Sequence, residues 1–195
     1  GGGGGWEGGT GKGLPLAVNV SVLQIVSRTF AEKAIAILRE SALPAYTIEL
    51  EITESALMTD IDYGAQLIQT LKAAGFSIAL DDFGTGYSSL GYLRKFMPNT
   101  LKIDRSFVAD LTAESNDCEI VGGIIQLAKA LNIEVVAEGI ELAEQRNILC
   151  EFGCLFGQGY LFGRPLPAEQ FEGGVMAVAR AAHTAITSPR VRAVP

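Results

Sequence analysis

Short apolar, β-branched runs in this sequence alternate with longer segments whose apolar residues recur at helical spacing, and that alternation limits the fold more than any other feature. "PLAVNVSV" precedes "SRTFAEKAIAILRESAL", "YTIELEITES" precedes "DYGAQLIQTLKAAG", and "FSIALDD" precedes "SSLGYLRKF". The cycle continues with "TLKIDRSF" before "NDCEIVGGIIQLAKALN", "IEVVAEGI" before "LAEQRNILCEFG", and "GQGYLFG" before "PAEQFEGGVMAVARAAH". In the second run Ile48, Leu50 and Ile52 share one side and Glu49 and Glu51 the other, the period-2 signature of a strand, while Gly75 supplies a helix stop. Six strand–helix units in a row predict a parallel sheet with its helices packed outside.

Two architectures satisfy that prediction, the open doubly wound sheet and the closed (β/α)8 barrel. The polar residues decide between them. Asn19, Glu51, Asp81 with Asp82, Lys102 with Asp104, Glu138 and Gln158 each stand at or near the C-terminal end of a different predicted strand. An open sheet gathers its ligand groups at one or two switch points, whereas a barrel draws one from nearly every strand to a single mouth. The expected class is therefore α/β, a TIM-like (β/α) barrel. The expected boundaries are a linker or remnant at 1–13, which includes "GGGGG", the barrel domain at 14–180, and a tail at 181–195.

Four of the strand-end groups, Asn19, Glu51, Asp81 and Asp82, are oxygen donors, and no His or Cys joins them, so the set suits Mg2+ or Mn2+ rather than zinc. Adjacent carboxylates repel unless positive charge neutralises them. Two ions facing Asp81 and Asp82 would meet that need and would suit phosphoryl chemistry, in which paired metals activate water and stabilise the leaving oxygen. Lys102 can neutralise charge or hold a phosphate or the attacking water; Glu138 is a candidate base; Gln158 is a neutral hydrogen-bonding group for water or substrate. The competing reading is plain. A single strand-end carboxylate is more often a helix N-cap or a solvated loop charge than a ligand, and Glu49 could carry an internal salt bridge.

"DFG" lacks the other parts of a kinase, "GGTGKG" has the wrong spacing for a phosphate loop, and the sole histidine, His183, reads as a surface residue of the last helix. A formal net charge of -7 argues against a broad surface for a nucleic-acid polymer. It leaves room for a small anionic ligand held through cations. The three cysteines, Cys118, Cys150 and Cys154, lack metal-site spacing and read as reduced thiols of a cytoplasmic protein. No apolar run approaches the roughly 20 residues of a membrane span.

These blocks also resemble a known family, the EAL-domain phosphodiesterases that hydrolyse cyclic di-GMP. The likeness runs through "LPLAVNVS", "IELEITESALM", "ALDDFGTGYSSL", "LKIDRSFV", "VVAEGIE" and "GQGYLFGRPLP", in the family's order. It implies a TIM-like barrel and a phosphodiesterase, dependent on two Mg2+ or Mn2+ ions, that opens cyclic di-GMP to linear pGpG in bacterial second-messenger signalling. By the resemblance, Asn19, Glu51 and Asp81 are metal ligands and Asp82 serves the second ion. Lys102 positions the hydrolytic water or contacts phosphate, Glu138 acts at the metal–water site as base or ligand, and Gln158 helps hold the water. Glu54 is similar to the glutamate that anchors the "DFGTGYSSL" loop, with Glu141 and Asp104 supporting the site from further out. That loop contributes to dimerisation in the family, so the resemblance implies a homodimer, and a sensory or GGDEF-type domain attached in the parent protein.

One part of the family pattern is missing. The Glu-Ala-Leu motif, whose glutamate is a metal ligand, lies on the strand before "LAVNVS", and only "GGGGGWEGGTGKG" precedes Leu14. The expectation is a barrel whose first strand–helix segment has been truncated, located in the cytoplasm or in the cytoplasmic part of a membrane-anchored parent. The alternative is a catalytically inactive EAL-type receptor that binds cyclic di-GMP without hydrolysing it.

Overall fold

The computed structural model describes residues 16–41, 43–85, 90–165 and 192–193. The glycine-rich opening, the helix expected over "PAEQFEGGVMAVARAAH", His183 and most of the tail lie outside the described residues. The chain groups into two compact units: residues up to Ile103 together with Ala128–Glu134, and Asp104–Leu127 together with Val135 onward.

In the first unit, strands β1 (Leu16–Val20), β2 (Ile48–Thr53), β3 (Ser77–Phe83) and β4 (Thr100–Ile103) run parallel, each beside its predecessor in sequence. Between them come α1 (Val22–Val26), α2 (Phe30–Ser41), α3 (Glu54–Met58), α4 (Ile61–Ala73) and α5 (Leu90–Phe96). The register sets Val18 beside Leu50 and Ile78, and Asn19 beside Glu51 and Ala79. Side chains alternate between the two faces of a strand. One face therefore collects Leu50, Ile52, Ile78, Leu80, Leu101 and Ile103, all buried. The other carries Glu49, Glu51, Ser77, Asp81, Thr100 and Lys102. The apolar face is covered by helices such as α4, which packs on β3 and buries Leu67, Ile68 and Leu71. Each such side chain contributes roughly 1.5–3 kcal/mol relative to exposure.

The helix-to-strand turns repeat one device. After α4, the amide of Gly75 (φ 99°) donates to Lys72 O at 2.9 Å and that of Phe76 to Leu71 O at 3.2 Å. This paired closure satisfies two terminal carbonyls and drops an apolar residue directly into the next strand. The same pattern ends α7 (Asn116–Ala130), with Asn132 in the left-handed position, and α8 (Ala143–Glu151), with Gly153 there. The expected stop at Gly75 is thus found, and its backbone conformation explains it.

The second unit holds α6 (Arg105–Ala109), most of α7, α8, and strands β5 (Glu134–Ala137), β6 (Phe156–Gly157) and β7 (Arg192–Ala193). β6 pairs in parallel with β5 and with β7. Its core is built from Val108, Val121, Ile125, Val135, Val136, Ile140 and Leu149. No described helix is long and apolar enough to cross a membrane.

Several sequence-based boundaries shift. "TLKIDRSF" is a strand only to Ile103; Asp104 caps a helix that takes the rest. "YTIELEITES" likewise ends its strand at Thr53 and turns helical at Glu54. "GQGYLFG" contributes only Gly157 to β6, and its remainder turns back, with Phe162 N–H donating to Gly159 O at 3.0 Å. The tail, expected to lack regular structure, supplies the two residues of β7.

All three cysteines are free thiols. Cys154 is buried, its Sγ–H donating to Phe156 O at 3.2 Å, and burial pushes the thiol up to about 11. At pH 8 its thiolate fraction is on the order of 0.001, against about a tenth for an unperturbed thiol near 9. Iodoacetamide should therefore alkylate Cys154 at least about 100-fold more slowly in the folded protein than in urea, read by peptide mass spectrometry. Equal rates would contradict its burial. The stability this thiol adds is present below the unfolded value near 9 and is lost as pH rises toward 11.

Candidate active site

The polar face of the first unit is organised in two layers. In the lower one, Glu49 Oε2 accepts from Ser77 Oγ at 3.0 Å and from Thr100 Oγ1 at 2.8 Å. The salt bridge considered for Glu49 is replaced by two hydroxyl donors. One pleat further along the strands, Lys102 Nζ lies 2.9 Å from Glu51 Oε1 and 3.1 Å from Asp81 Oδ1. The three side chains are 7%, 11% and 12% exposed, so a cation is held between two carboxylates with little water to screen them.

β3 does not end as a regular strand. Its register against β4 shifts between Leu80 and Phe83, and Asp82 adopts φ 54°. Successive side chains normally point to opposite faces, so adjacent carboxylates should diverge. The bulge and the left-handed residue cancel that alternation: carboxylate oxygens of Asp81 and Asp82 lie within 4.8 Å of each other. The Asp82 amide donates to Asp81 Oδ1 at 3.1 Å, and Thr85 Oγ1 donates to Asp82 O at 2.9 Å. A non-glycine residue in this conformation costs roughly 1–2 kcal/mol, least for Asp and Asn, which bond locally. Beyond the bulge, the Gly84 amide donates to Glu54 Oε2 at 3.4 Å, and Glu54 is itself buried in the first turn of α3.

Asn19 stands in register with Glu51 on β1 and is exposed. Beside β1 and α2 the structure also has a cavity of about 490 Å3, lined by residues such as Val18, Leu38, Leu50 and Phe76. Its lining includes Asn19 but no acidic residue, so it is an apolar gap and not the place where charge is concentrated.

In the second unit, Glu138 follows the last residue of β5 and is half-buried; Gln158 follows β6 and is exposed. Their backbones are tied. Gln158 N–H donates to Ala137 O at 2.8 Å, and Ile140 N–H donates to Gln158 O at 3.0 Å. Glu141 is exposed, and its amide donates to Gln145 Oε1 at 2.9 Å. Asp104 is the N-cap of α6, accepting from Ser106 N–H at 2.9 Å and Ser106 Oγ at 2.5 Å. Desolvation works to raise its carboxyl, but the Ser106 and Arg105 hydrogen bonds and the Arg105 charge outweigh it and hold it below the ordinary range. Among the described residues of this unit, Gln145 is the buried polar one; a glutamine on an amphipathic helix carries no signal in the sequence that separates it from a solvated one.

Asp81 and Asp82 bring carboxylate oxygens close together, and hard oxygen donors of this kind fit a divalent cation such as Mg2+ or Mn2+. Fold and site together define a class, a parallel α/β protein with oxygen donors and a buried lysine at its strand ends. The family model described as the EAL domain matches residues 5–165, and the chain belongs to that family. The family's TIM-like barrel agrees with the architecture expected from the strand ends.

The bifunctional diguanylate cyclase/cyclic di-GMP phosphodiesterase MucR of Pseudomonas aeruginosa is 45% identical over 156 residues, which cover 80% of this chain and 23% of MucR. The solved structure of the MucR phosphodiesterase in complex with c-di-GMP matches with a TM-score of 0.78 at 42% identity, over 80% of this chain and 70% of that one. The manganese/cyclic-di-GMP complex of Klebsiella pneumoniae BlrP1 matches with a TM-score of 0.72 at 32% identity, over 77% of this chain and 39% of that one. The chain spans about a fifth to two fifths of the length of the curated relatives it matches.

Proposed function

We propose that this chain carries out metal-dependent hydrolysis of cyclic di-GMP to linear pGpG, as a module of bacterial second-messenger signalling. The observation that carries the reading is the Glu51–Lys102–Asp81 cluster together with the bulge that turns Asp82 toward Asp81. In this reading Asn19, Glu51 and Asp81 would hold one Mg2+ or Mn2+ ion, and Asp82 would serve a second. When bound, such ions supply Lewis acidity, which acidifies water and offsets charge developing on phosphate oxygens. Lys102 fixes the two carboxylates at its strand end and offers positive charge to the phosphate or the attacking water. Glu138 takes the proton of that water, and Gln158 orients it by hydrogen bonding. A bond forms from the water oxygen to phosphorus as one ring P–O bond breaks, and the departing ribose oxygen takes up a proton from Glu138 or solvent to become the free 3′-hydroxyl. Glu54 holds the loop after Asp82 through Gly84. Dimerisation through the "DFGTGYSSL" loop, an attached sensory or GGDEF-type domain and a cytoplasmic location belong to the same reading.

The protein incubated with cyclic di-GMP should release pGpG with Mg2+ or Mn2+ and not with chelator, followed by ion-exchange chromatography. Glu138→Gln should lower kcat by about 100-fold or more. Full turnover by Glu138→Gln would remove the assigned base, and tight binding of cyclic di-GMP without product would make the chain a receptor.

A further inference from the structure

The geometry points to Gln145 as a positioning residue for Glu138, a role that rests on the phosphodiesterase reading above. Gln145 is 3% exposed, and its amide uses every donor and acceptor it has. Oε1 accepts from the amides of Glu141 and Leu142, both at 2.9 Å. Nε2 donates to Val108 O at 2.8 Å and Ala109 O at 3.0 Å. One side chain thus joins the end of α6 to the loop that begins at Glu138.

A helix cap alone would not look like this. Gln145 sits at the third position of α8, where Gln often reaches back to the N-cap amide. Leu142, the N-cap, has no side-chain oxygen to return the bond, and a cap needs no second attachment to another helix. The rest of the loop is fixed between the same supports. Gly139 has φ 71°, and a Cβ there would meet Arg105 Cβ, on α6, at 2.5 Å. Ile140 is bonded at both N and O, to Gln158 O and from Leu161 N, each at 3.0 Å. α6 therefore backs the loop twice, through Arg105 against Gly139 and through Gln145 against residues 141 and 142. Without the glutamine strut, the chain from Glu138 to Leu142 keeps its attachment to the Gln158 loop and the packing of Gly139 on Arg105, but loses its hydrogen-bonded link to α6. The Glu138 carboxylate then samples a wider range of positions, which costs turnover more than substrate affinity.

The test is Gln145→Met, which keeps the volume and removes all four hydrogen bonds. Asp60→Ala is the control, because it removes the N-cap of α4, a cap far along the chain from this loop. Gln145→Met should lower kcat by about tenfold or more, with KM for cyclic di-GMP within about twofold, while Asp60→Ala leaves kcat within about twofold. In parallel, 15N amide exchange at Glu141 and Leu142 should accelerate, and the 13C carboxyl resonance of Glu138 should broaden or split. Gln145→Glu keeps the acceptor toward Glu141 and Leu142 and gives up the two donors; it is read in the same way should the Met variant not fold. Unchanged kcat with accelerated exchange would overturn the positioning role, as would an undisturbed Glu138 resonance. If the unaltered protein shows no turnover, the phosphodiesterase reading fails, and the resonance of Glu138 in the two variants still decides the role of Gln145.

Discussion

Lys102→Met should destabilise the metal-free protein by about 3–5 kcal/mol and abolish measurable hydrolysis with metal present. The ammonium lies 2.9 Å from Glu51 and 3.1 Å from Asp81, and all three side chains are close to fully buried. Methionine fills nearly the same space, so the loss is electrostatic: two desolvated carboxylates remain with their shared cation gone. Removing one partner of such a cluster costs far more than the cluster contributes as a whole, because the partners left behind cannot recover their hydration. A comparison isolates that cause. The triple variant Glu51→Gln, Asp81→Asn, Lys102→Met has no orphaned charge and should lie within about 1–2 kcal/mol of the unaltered protein. Urea unfolding in chelator measures both. Adding Mg2+ or Mn2+ should narrow the deficit of the single variant, since a cation near Glu51 and Asp81 takes over the neutralisation. A single variant as stable as the unaltered protein would mean that Lys102 is not the counter-charge, and a deficit indifferent to cations would count against the metal site.

How this cluster comes about marks the limit of what the sequence reveals. The alternation in "IELEIT" assigns Glu49 and Glu51 to one face and their apolar neighbours to the other, because a pleat has only two sides. It cannot say whether Glu49 meets a cation or two hydroxyls, since Ser77 and Thr100 become neighbours only through register. Asp81 and Asp82 are legible as a pair, yet a regular strand would separate them. The bulge that reunites them is set by pairing with β4, and no glycine at position 82 announces it. The five-residue helices α3 and α6 are hidden for a different reason. Each starts directly where a strand stops and is too short to show a helical period. Asp104 illustrates the competing reading of strand-end carboxylates, because the structure uses it to cap α6. Gln145 is the least visible, as its importance lies in four contacts across 36 and 37 positions on one side and three and four on the other.

Gly159→Ala should cost about 4 kcal/mol or more, a loss at the exceptional end for a single methyl group. A Cβ at this position would lie 2.2 Å from Ile140 O, 2.3 Å from Ile140 N and 2.7 Å from Ile140 C. These are backbone atoms, so no side-chain rotation can make room. Nor can Ile140 withdraw easily: it is 1% exposed, its N–H is committed to Gln158 O, and its O accepts from Leu161 N–H. Relief of the clash would break both bonds and pull apart the two loops that carry Glu138 and Gln158. Gly123→Ala provides the contrast on the same chain. That residue lies inside α7, with nothing within 4 Å of the added methyl. It should stabilise the protein by about 0.5–1 kcal/mol, because alanine loses less backbone entropy in a helix. The two variants add the same atom, and opposite signs in urea unfolding would trace the difference to the contact between residues 140 and 159. If Gly159→Ala unfolds at the same urea concentration as the unaltered protein, the two loops are not in backbone contact, and the tie between the Glu138 and Gln158 segments is absent.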